Sequence, residues 1–411
     1  MTEPRPLSLF SGFGVELEYM LVDTETLSVR AIADQLLAAG AGEQQTGHVD
    51  RGPIAWSNEL VAHVVELKVR EPAAALEPLP ALFQKNVQEI NSIAGGLGTR
   101  LMPAGMHPWM NPERETRLWP HKYQDVYEAF DRIFGCRGHG WANLQSAHLN
   151  LPFADDAEFA KLHAAIRLIL PILPALAASS PVVERRTTGL MDNRLEVYRT
   201  NSKQIARVAG RVIPEPAFSR AEYDAQILEP MYAEIAPHDP AGVLRDEWLN
   251  ARGAIARFSR NAIEIRLLDV QECPLADVAI CAAVVEVLKS LVAHRWSSLS
   301  QQKAAEVEPL AEILIATIRD AERAVIDNHE YLNLFGYSGP TCTAGQLWRH
   351  LIASLPELTT PDSPWNGPLE IIQKQGPLAR RIVSALATRP LAAVYAELCR
   401  CLAEGELFTL S

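Results

Sequence analysis

The sequence predicts an α+β fold, and three observations support this prediction. Segments with the alternating pattern of β-strands are concentrated before residue 274. Helical patterns dominate after Pro274, beginning with LADVAICAAVVEVLKSLVAHRW. Of the 411 residues, 48% are hydrophobic and 21% are charged, as expected of a globular protein with a sizeable core. Strands followed by helices are typical of α+β architecture.

The first 70 residues are predicted to be rich in strands. GVELEYMLVD (residues 14–23) alternates apolar and acidic residues in its first half, which favours a strand with one polar face. VVELKVREP (residues 64–72) alternates in the same way and stops at Pro72. A helix closed by glycines is predicted over residues 73–98.

The pattern continues up to Pro274. Helices are predicted at residues 121–135 and 155–181, and prolines interrupt the second. Residues 183–225 are mixed and rich in Arg and Thr, so they are predicted to be loops. Further strands are predicted at residues 101–108, 142–153, 248–258 and 261–274.

No internal repeat or low-complexity linker divides the chain. The best candidate for a boundary lies near residue 300, where the predicted sheet region has ended. We therefore expect a catalytic sheet domain over residues 1–300. A helical region over residues 301–411 is expected to pack on the same domain.

Charge and composition exclude several classes of function. The formal net charge of −12 disfavours a nucleic-acid partner, because phosphate backbones require a basic surface. The N-terminus lacks the pattern of a secretory signal, and no apolar run is long enough for a membrane span. Six cysteines without a CxxC spacing are predicted to be buried reduced thiols. These features predict a cytoplasmic protein without a membrane segment.

Polar side chains recur at positions i and i+2 in four predicted strands. Because alternate residues of a strand point to the same side, each pair projects from one face of the sheet. Carboxylates buried on such a face need cations or metal ions as partners. The pairs are Glu16 and Glu18, Glu66 and Lys68, His148 and Asn150, and Glu264 and Arg266.

This set of side chains indicates a particular metal chemistry. Carboxylate oxygens with a single imidazole suit Mg²⁺ or Mn²⁺ better than Zn²⁺. Carboxylates without a thiolate are also the usual protein contribution to a metal–nucleotide site, where an arginine neutralises the transferred group.

The first and third pairs also have a structural interpretation. Glu16 and Glu18 could form the solvated face of an edge strand. His148 alone could be a hydrogen-bonded histidine with no role beyond structure.

The remaining carboxylates have alternatives as well. Glu59, His63 and Glu66 fit the i, i+4 and i+7 positions of an amphipathic helix. Glu264 and Arg266 could belong to an array of ion pairs across neighbouring strands. Each signal is weak alone, and the prediction of a site depends on their occurrence together before residue 270.

Six motifs, in order, resemble those of the glutamate–cysteine ligase superfamily, most closely its second bacterial branch of carboxylate–amine ligases. GVELEY resembles the family's first strand, G-x-E-x-E, and NELVAHVVELKV resembles its acidic residue followed seven positions later by glutamate. MPAGMHPW resembles a strand ending in a THP turn, with Met106 in place of Thr. SAHLNLPF resembles an H-x-N or H-x-H strand. SSP followed by TGLMDNR resembles an SP-x-x…R loop, and AIEIRLLDVQECPLAD resembles an E-x-R-x-x-D strand.

The resemblance implies a fold, a reaction and a set of residue roles. It implies a curved, largely antiparallel sheet like that of glutamine synthetase catalytic domains, with helices on one face. It implies that Arg266 lies against the transferred phosphoryl group, that Arg194 contacts phosphate or substrate, and that Asn150 touches substrate or nucleotide. The implied metal-binding positions are Glu16, Glu18, Glu59, Glu66, His148 and Glu264.

The implied activity is ATP-dependent joining of a carboxylate to an amine through an acyl phosphate, with two or three Mg²⁺ ions, or Mn²⁺ in their place. Glutamate is the expected acid, the partners are a small-molecule acid and amine, and the resemblance allows a homodimer. Residues 183–225 depart from the classical substrate loop, so the amine stays open. Alternatives are a phosphotransferase resembling guanidino-kinases and a non-catalytic member of the family that binds a metabolite.

Overall fold

The computed structural model describes residues 6–410 and contains one large sheet with two small ladders. The strands are β1 (Gly14–Asp23), β2 (His48–Arg51), β3 (Ile54–Asn58), β4 (Val64–Val69), β5 (Thr99–Met102), β6 (Ser146–Pro152), β7 (Val182–Val183), β8 (Arg186–Thr187), β9 (Ala254–Arg257), β10 (Ala262–Asp269), β11 (Val325–Ile326) and β12 (Cys342–Thr343). The large sheet has the order β2-β3-β4-β1-β6-β10-β9, and β5 pairs with the second half of β1. Every pairing in it is antiparallel.

Helices pack against this sheet and form most of the chain after Pro274. The α-helices are α1 (Ala33–Gly40), α2 (Leu79–Gly96), α3 (Pro112–Glu115), α4 (Gln124–Phe134), α5 (His139–Ala142), α6 (Asp156–Ile169), α7 (Pro174–Ala177), α8 (Asn193–Tyr198), α9 (Arg220–Tyr223), α10 (Glu229–Ile235), α11 (Pro274–Val292), α12 (Leu299–Lys303), α13 (Val307–Asp320), α14 (His329–Asn333), α15 (Ala344–Ala353), α16 (Pro356–Thr359), α17 (Asn366–Gln375), α18 (Leu378–Leu386) and α19 (Leu391–Glu404).

The alternation along β1 separates the core from the opposite face of the sheet. Val15, Leu17 and Tyr19 are completely buried in the main core, together with residues of α2, α6 and α11. Glu16 and Glu18, which have the opposite phase, project from the other face. A one-residue slip of β1 would exchange the two sets, so burial of the apolar set determines where the carboxylates lie.

The strand register brings polar residues that are distant in sequence into adjacent positions. Glu16 of β1 lies opposite Lys68 of β4 on one side and opposite His148 of β6 on the other. Glu18 lies opposite Glu66. These cross-strand neighbours all project from the face that the helices leave open.

The C-terminal helices pack at the end of β1 and against β5. Met20 of β1 and Met102 of β5 share a second hydrophobic cluster with Ile382 of α18 and Leu398 of α19. In the described part of the chain, every helix is too short or too polar to cross a bilayer. The six cysteines are buried free thiols, as the sequence predicts.

The structure confirms the predicted α+β class but corrects individual segments. Residues 183–225 are not loops throughout, because they include α8, which carries Arg194. The strand predicted at 101–108 ends at Met102, directly before Pro103, which has no amide hydrogen to donate to the ladder. The helix predicted over 73–98 begins only at Leu79, after Pro78 in the N-cap position.

Candidate active site

A cleft of about 900 Å³ lies on the open face of the sheet. Strands β1, β4, β6 and β10 contribute its floor, and α5 and α8 contribute part of its wall. All of the predicted site residues line this cleft, which brings together positions from residue 16 to residue 266. They are Glu16, Glu18, Glu59, Glu66, His148, Asn150, Arg194, Glu264 and Arg266.

Two overlapping groups of ligand atoms lie at the centre of the cleft. Glu16, Glu66 and His148 form one group, and Glu18, Glu59 and Glu66 form the other. Within each group the candidate ligand atoms lie within 4.8 Å of one another, so each is compact enough to surround a cation. Glu66 belongs to both groups, so the two groups adjoin.

Hydrogen bonds orient the members of the first group. His148 Nδ1 lies 3.3 Å from Glu16 Oε2, and Asn150 Nδ2 donates to Glu16 Oε1 at 2.9 Å. Gly14 lies opposite Asn150, and a Cβ at Gly14 would approach the Asn150 Cβ to 2.9 Å. Glycine at this position therefore permits the close packing that holds Asn150 against Glu16.

The second group is held by backbone and hydroxyl donors. Ser146 donates to Glu18 Oε2 from its backbone nitrogen at 2.7 Å and from Oγ at 2.9 Å. Glu59 lies just beyond β3 and accepts a hydrogen bond from the Leu60 nitrogen at 3.3 Å. Ser57 Oγ donates to Glu66 Oε2 at 2.5 Å.

The crowded carboxylates perturb one another. Burial and the charge of Glu16 raise the pKa of Glu66 to about 7. Burial and the charges of Glu18 and Glu66 raise the pKa of Glu59 well above its usual range. Burial alone would lower the pKa of His148, but the neighbouring Glu16, Glu18 and Glu264 raise it to about 9. Glu59 and Glu66 therefore favour their neutral forms unless further positive charge is nearby, and carboxylate oxygens with one imidazole fit a hard divalent cation.

An array of charges on β9 and β10 forms the adjacent wall. Arg266 donates to Glu264 Oε1 from Nε at 3.0 Å and from Nη2 at 2.6 Å. Arg257 Nη1 donates to Glu264 Oε2 at 3.3 Å. The register of β10 shifts between Ile265 and Leu268, so Arg266 lies in a β-bulge. Bulges are common next to active sites.

Arg194 reaches the cleft from α8. Its Nε donates to the completely buried Asp269, which also accepts from the Ser179 nitrogen at 2.8 Å and Ser180 Oγ at 2.7 Å. Arg194 Nη2 lies 3.3 Å from the carbonyl oxygen of Arg266. Asp269 therefore positions Arg194 beside Arg266.

Two of the structural alternatives from the sequence are wrong. Glu16 and Glu18 lie on a central strand with partners on both sides, not on an edge strand. Glu59 and Glu66 do not share a helix, because β3 ends before Glu59 and β4 contains Glu66. The alternative for Glu264 and Arg266 is confirmed, because Arg257 of β9 and Arg266 of β10 contact the two oxygens of Glu264 in an array of ion pairs across neighbouring strands. Glu264 contributes to neither compact group of ligand atoms.

Sequence reasoning missed some residues of the cleft. Arg257 belongs to no recognised motif. It does lie in a predicted strand that pairs with the strand of Glu264, and this position could have indicated a place in the cleft. Tyr198 lies four residues after Arg194 on the same helix and also lines the cleft. Its spacing of i, i+4 could have indicated a shared helix face once a helix was predicted there.

The chain shares its fold with a solved glutamate–cysteine ligase. A solved structure of glutamate–cysteine ligase from Francisella tularensis in complex with AMP superposes with a TM-score of 0.59 and 10% sequence identity. The superposition covers 96% of this chain and 88% of that chain, so the two share a fold. The sequence model of Glutamate-cysteine ligase family 2 (GCS2) matches residues 12–333. The chain belongs to this family.

Relatives support the same membership. An uncharacterised protein of Archaeoglobus fulgidus is 36% identical over 277 residues, which cover 67% of this chain and 74% of that protein. A Bradyrhizobium sp. (strain ORS 278) protein named "Putative glutamate--cysteine ligase 2" is 29% identical over 292 residues. That match covers 69% of this chain and 62% of the Bradyrhizobium protein, which is less than two thirds of its length.

Proposed function

We propose that the protein uses ATP and Mg²⁺ to join a carboxylate to an amine, with glutamate as the acyl substrate and an acyl phosphate as the intermediate. One observation supports this most strongly: overlapping carboxylate groups and an arginine wall face the same cleft. Membership in Glutamate-cysteine ligase family 2 adds to this support. Metal–nucleotide sites combine the same two elements, acidic ligands for the cation and guanidinium groups for the phosphates.

We assign cation binding to the residues that the sequence singles out. Glu16, Glu66 and His148 would hold one ion, and Glu18 and Glu59 would hold a second ion that shares Glu66. Glu264 would join them only by exchanging one of its guanidinium partners. A bound divalent cation would neutralise phosphoryl oxygens and so lower the barrier to attack by another anion.

The remaining residues act on the substrates. In the first step a carboxylate oxygen attacks the γ-phosphorus and ADP leaves, so negative charge develops on the phosphoryl oxygens. Arg266 and Arg194 would neutralise that charge, and Asn150 would orient a substrate oxygen. In the second step the amine nitrogen attacks the acyl carbon, phosphate leaves and the nitrogen loses a proton. Positioning and charge neutralisation account for the reaction without a covalent nucleophile on the protein.

A panel assay tests this function. ADP release from Mg·ATP is measured with a series of acids led by L-glutamate, each with and without a series of amines led by L-cysteine. We expect ADP release that requires both an acid and an amine, with an amide as the product. ADP release with an acid alone and a stable phosphorylated product would show a phosphotransferase instead. No ADP release and no binding of Mg·ATP would contradict the proposal.

A further inference from the structure

Lys68 covers the carboxylate that the two candidate metal groups share. It projects into the cleft from β4, opposite Glu16 of β1 and Ala55 of β3. Its Nζ lies 2.5 Å from Glu66 Oε2, and the side chain is 34% exposed. The same oxygen accepts the hydrogen bond from Ser57, so this side of Glu66 is occupied by protein donors.

The ammonium group acts on several of the carboxylates at once. It contacts Glu66 and lies opposite Glu16 across the pairing of β4 with β1. Lys68 is therefore a counter-ion for the cluster and not only the partner of one residue. A cation that used the covered oxygen of Glu66 would have to move the ammonium aside.

We propose that Lys68 is a built-in counter-ion, displaced from Glu66 when a divalent cation binds, and that the displaced ammonium then pairs with a phosphate of the nucleotide. The second half of this inference rests on the proposed function. Free metal ions bind weakly because they compete with Lys68. Metal and nucleotide bind cooperatively, because the phosphates provide the lysine with a replacement for Glu66.

Electrostatics determines the sign of the effect. Removing the positive charge of Lys68 strengthens the attraction of a divalent ion twice as much as the attraction of a proton at the same distance. Metal binding therefore tightens wherever the ion displaces at most one proton from these carboxylates. A flexible lysine stem lets the ammonium move between Glu66 and a ligand in the cleft.

Mn²⁺ is the probe, and its free concentration is measured by electron paramagnetic resonance in the protein without nucleotide. We expect Lys68→Met to bind Mn²⁺ at least tenfold more tightly than the unchanged protein. Lys68→Arg keeps the charge and is expected to stay within threefold. Arg70→Met is the matched control, because Arg70 also lines the cleft but pairs with Asp50 at 3.2 Å. It is also expected to stay within threefold.

The titration is then repeated with a non-hydrolysable ATP analogue. The unchanged protein is expected to gain at least tenfold in Mn²⁺ affinity, and Lys68→Met is expected to gain less than threefold. The counter-ion role of Lys68 would be overturned if a folded Lys68→Met protein bound Mn²⁺ equally or more weakly than the unchanged protein. It would also be overturned if Lys68→Arg bound Mn²⁺ as tightly as is expected of Lys68→Met. If the nucleotide does not raise the Mn²⁺ affinity of the unchanged protein, the proposed function and the phosphate pairing fail. The Mn²⁺ affinity of Lys68→Met without nucleotide still tests the counter-ion role separately.

Discussion

Arg266 donates two hydrogen bonds to a single oxygen of Glu264, from Nε at 3.0 Å and from Nη2 at 2.6 Å. Arg257 contacts the other oxygen. Burial would raise the pKa of Glu264, but the charges of Arg266, His148 and Arg257 together outweigh that effect and lower it. Glu264 is therefore an ionised anchor that holds two guanidinium groups at the edge of the cleft.

We predict that Glu264→Gln lowers kcat by about 100-fold, because a neutral amide cannot hold both arginines where they neutralise charge. Steady-state kinetics with the acid and amine found in the panel assay measure this change. Glu215→Gln is the matched control, since Glu215 also binds an arginine with both oxygens but lies outside the cleft. A Glu264→Gln rate within threefold of the original would exclude this role.

We predict that Glu66→Gln stabilises the metal-free protein at pH 8 and abolishes stabilisation by Mn²⁺. The pKa of Glu66 is raised from 4.5 to about 7, so its ionisation opposes folding as the pH rises through this window. The gain at pH 8 is expected to be about 3 kcal/mol, and it should disappear below pH 4.5. Urea unfolding at both pH values measures it, with the exposed Glu77→Gln as control. A destabilised Glu66→Gln protein at pH 8 would contradict the prediction.

We predict that His163 contributes to acid sensitivity. Its ring stacks on Phe159 at 5.2 Å, and burial together with the charge of Arg167 lowers its pKa to about 3. An unfolded histidine takes up a proton near pH 6.5, so the stability is fully present above that pH and is lost as the pH falls towards 3.

His163→Phe should therefore retain about 2 kcal/mol more of its neutral-pH stability at pH 5 than the original protein does. Urea unfolding at pH 7 and pH 5 measures how much stability each of the two proteins loses between these pH values. The exposed His238→Phe serves as control and should leave the pH dependence unchanged. An equal loss of stability in the His163→Phe and original proteins would show that His163 is not involved.

We predict that Asp269→Asn destabilises the protein by about 3–5 kcal/mol and also lowers turnover. Asp269 and Arg194 form an ion pair in which the side chains are 0% and 2% exposed, so the substitution leaves a buried guanidinium without its counter-charge. Asp320→Asn, which breaks an exposed pair with Arg319, should change stability by less than about 0.5 kcal/mol. Thermal unfolding and kinetics of both variants test this, and a stable, active Asp269→Asn protein would refute it.

Local patterns in the chain were sufficient to predict much of the fold. Side chains of a strand alternate between its two faces, so the pattern of residues 14–23 already indicated that Glu16 and Glu18 lie on one face and the apolar residues on the other. The same reasoning placed His148 beside Asn150 on one face of β6. These predictions succeeded because they depend on neighbouring residues alone.

Tertiary structure decided how those faces combine. Ser146 and Glu18 are 128 residues apart, and Asn150 and Glu16 are 134 apart, yet both pairs form hydrogen bonds through strand register. The bulge at Arg266 and the burial of Arg194 on a helix likewise depend on partners remote in sequence. Long-range strand pairing and desolvation determine which carboxylates cluster and which cation balances their charge. No short stretch of the chain encodes the pairing or the desolvation.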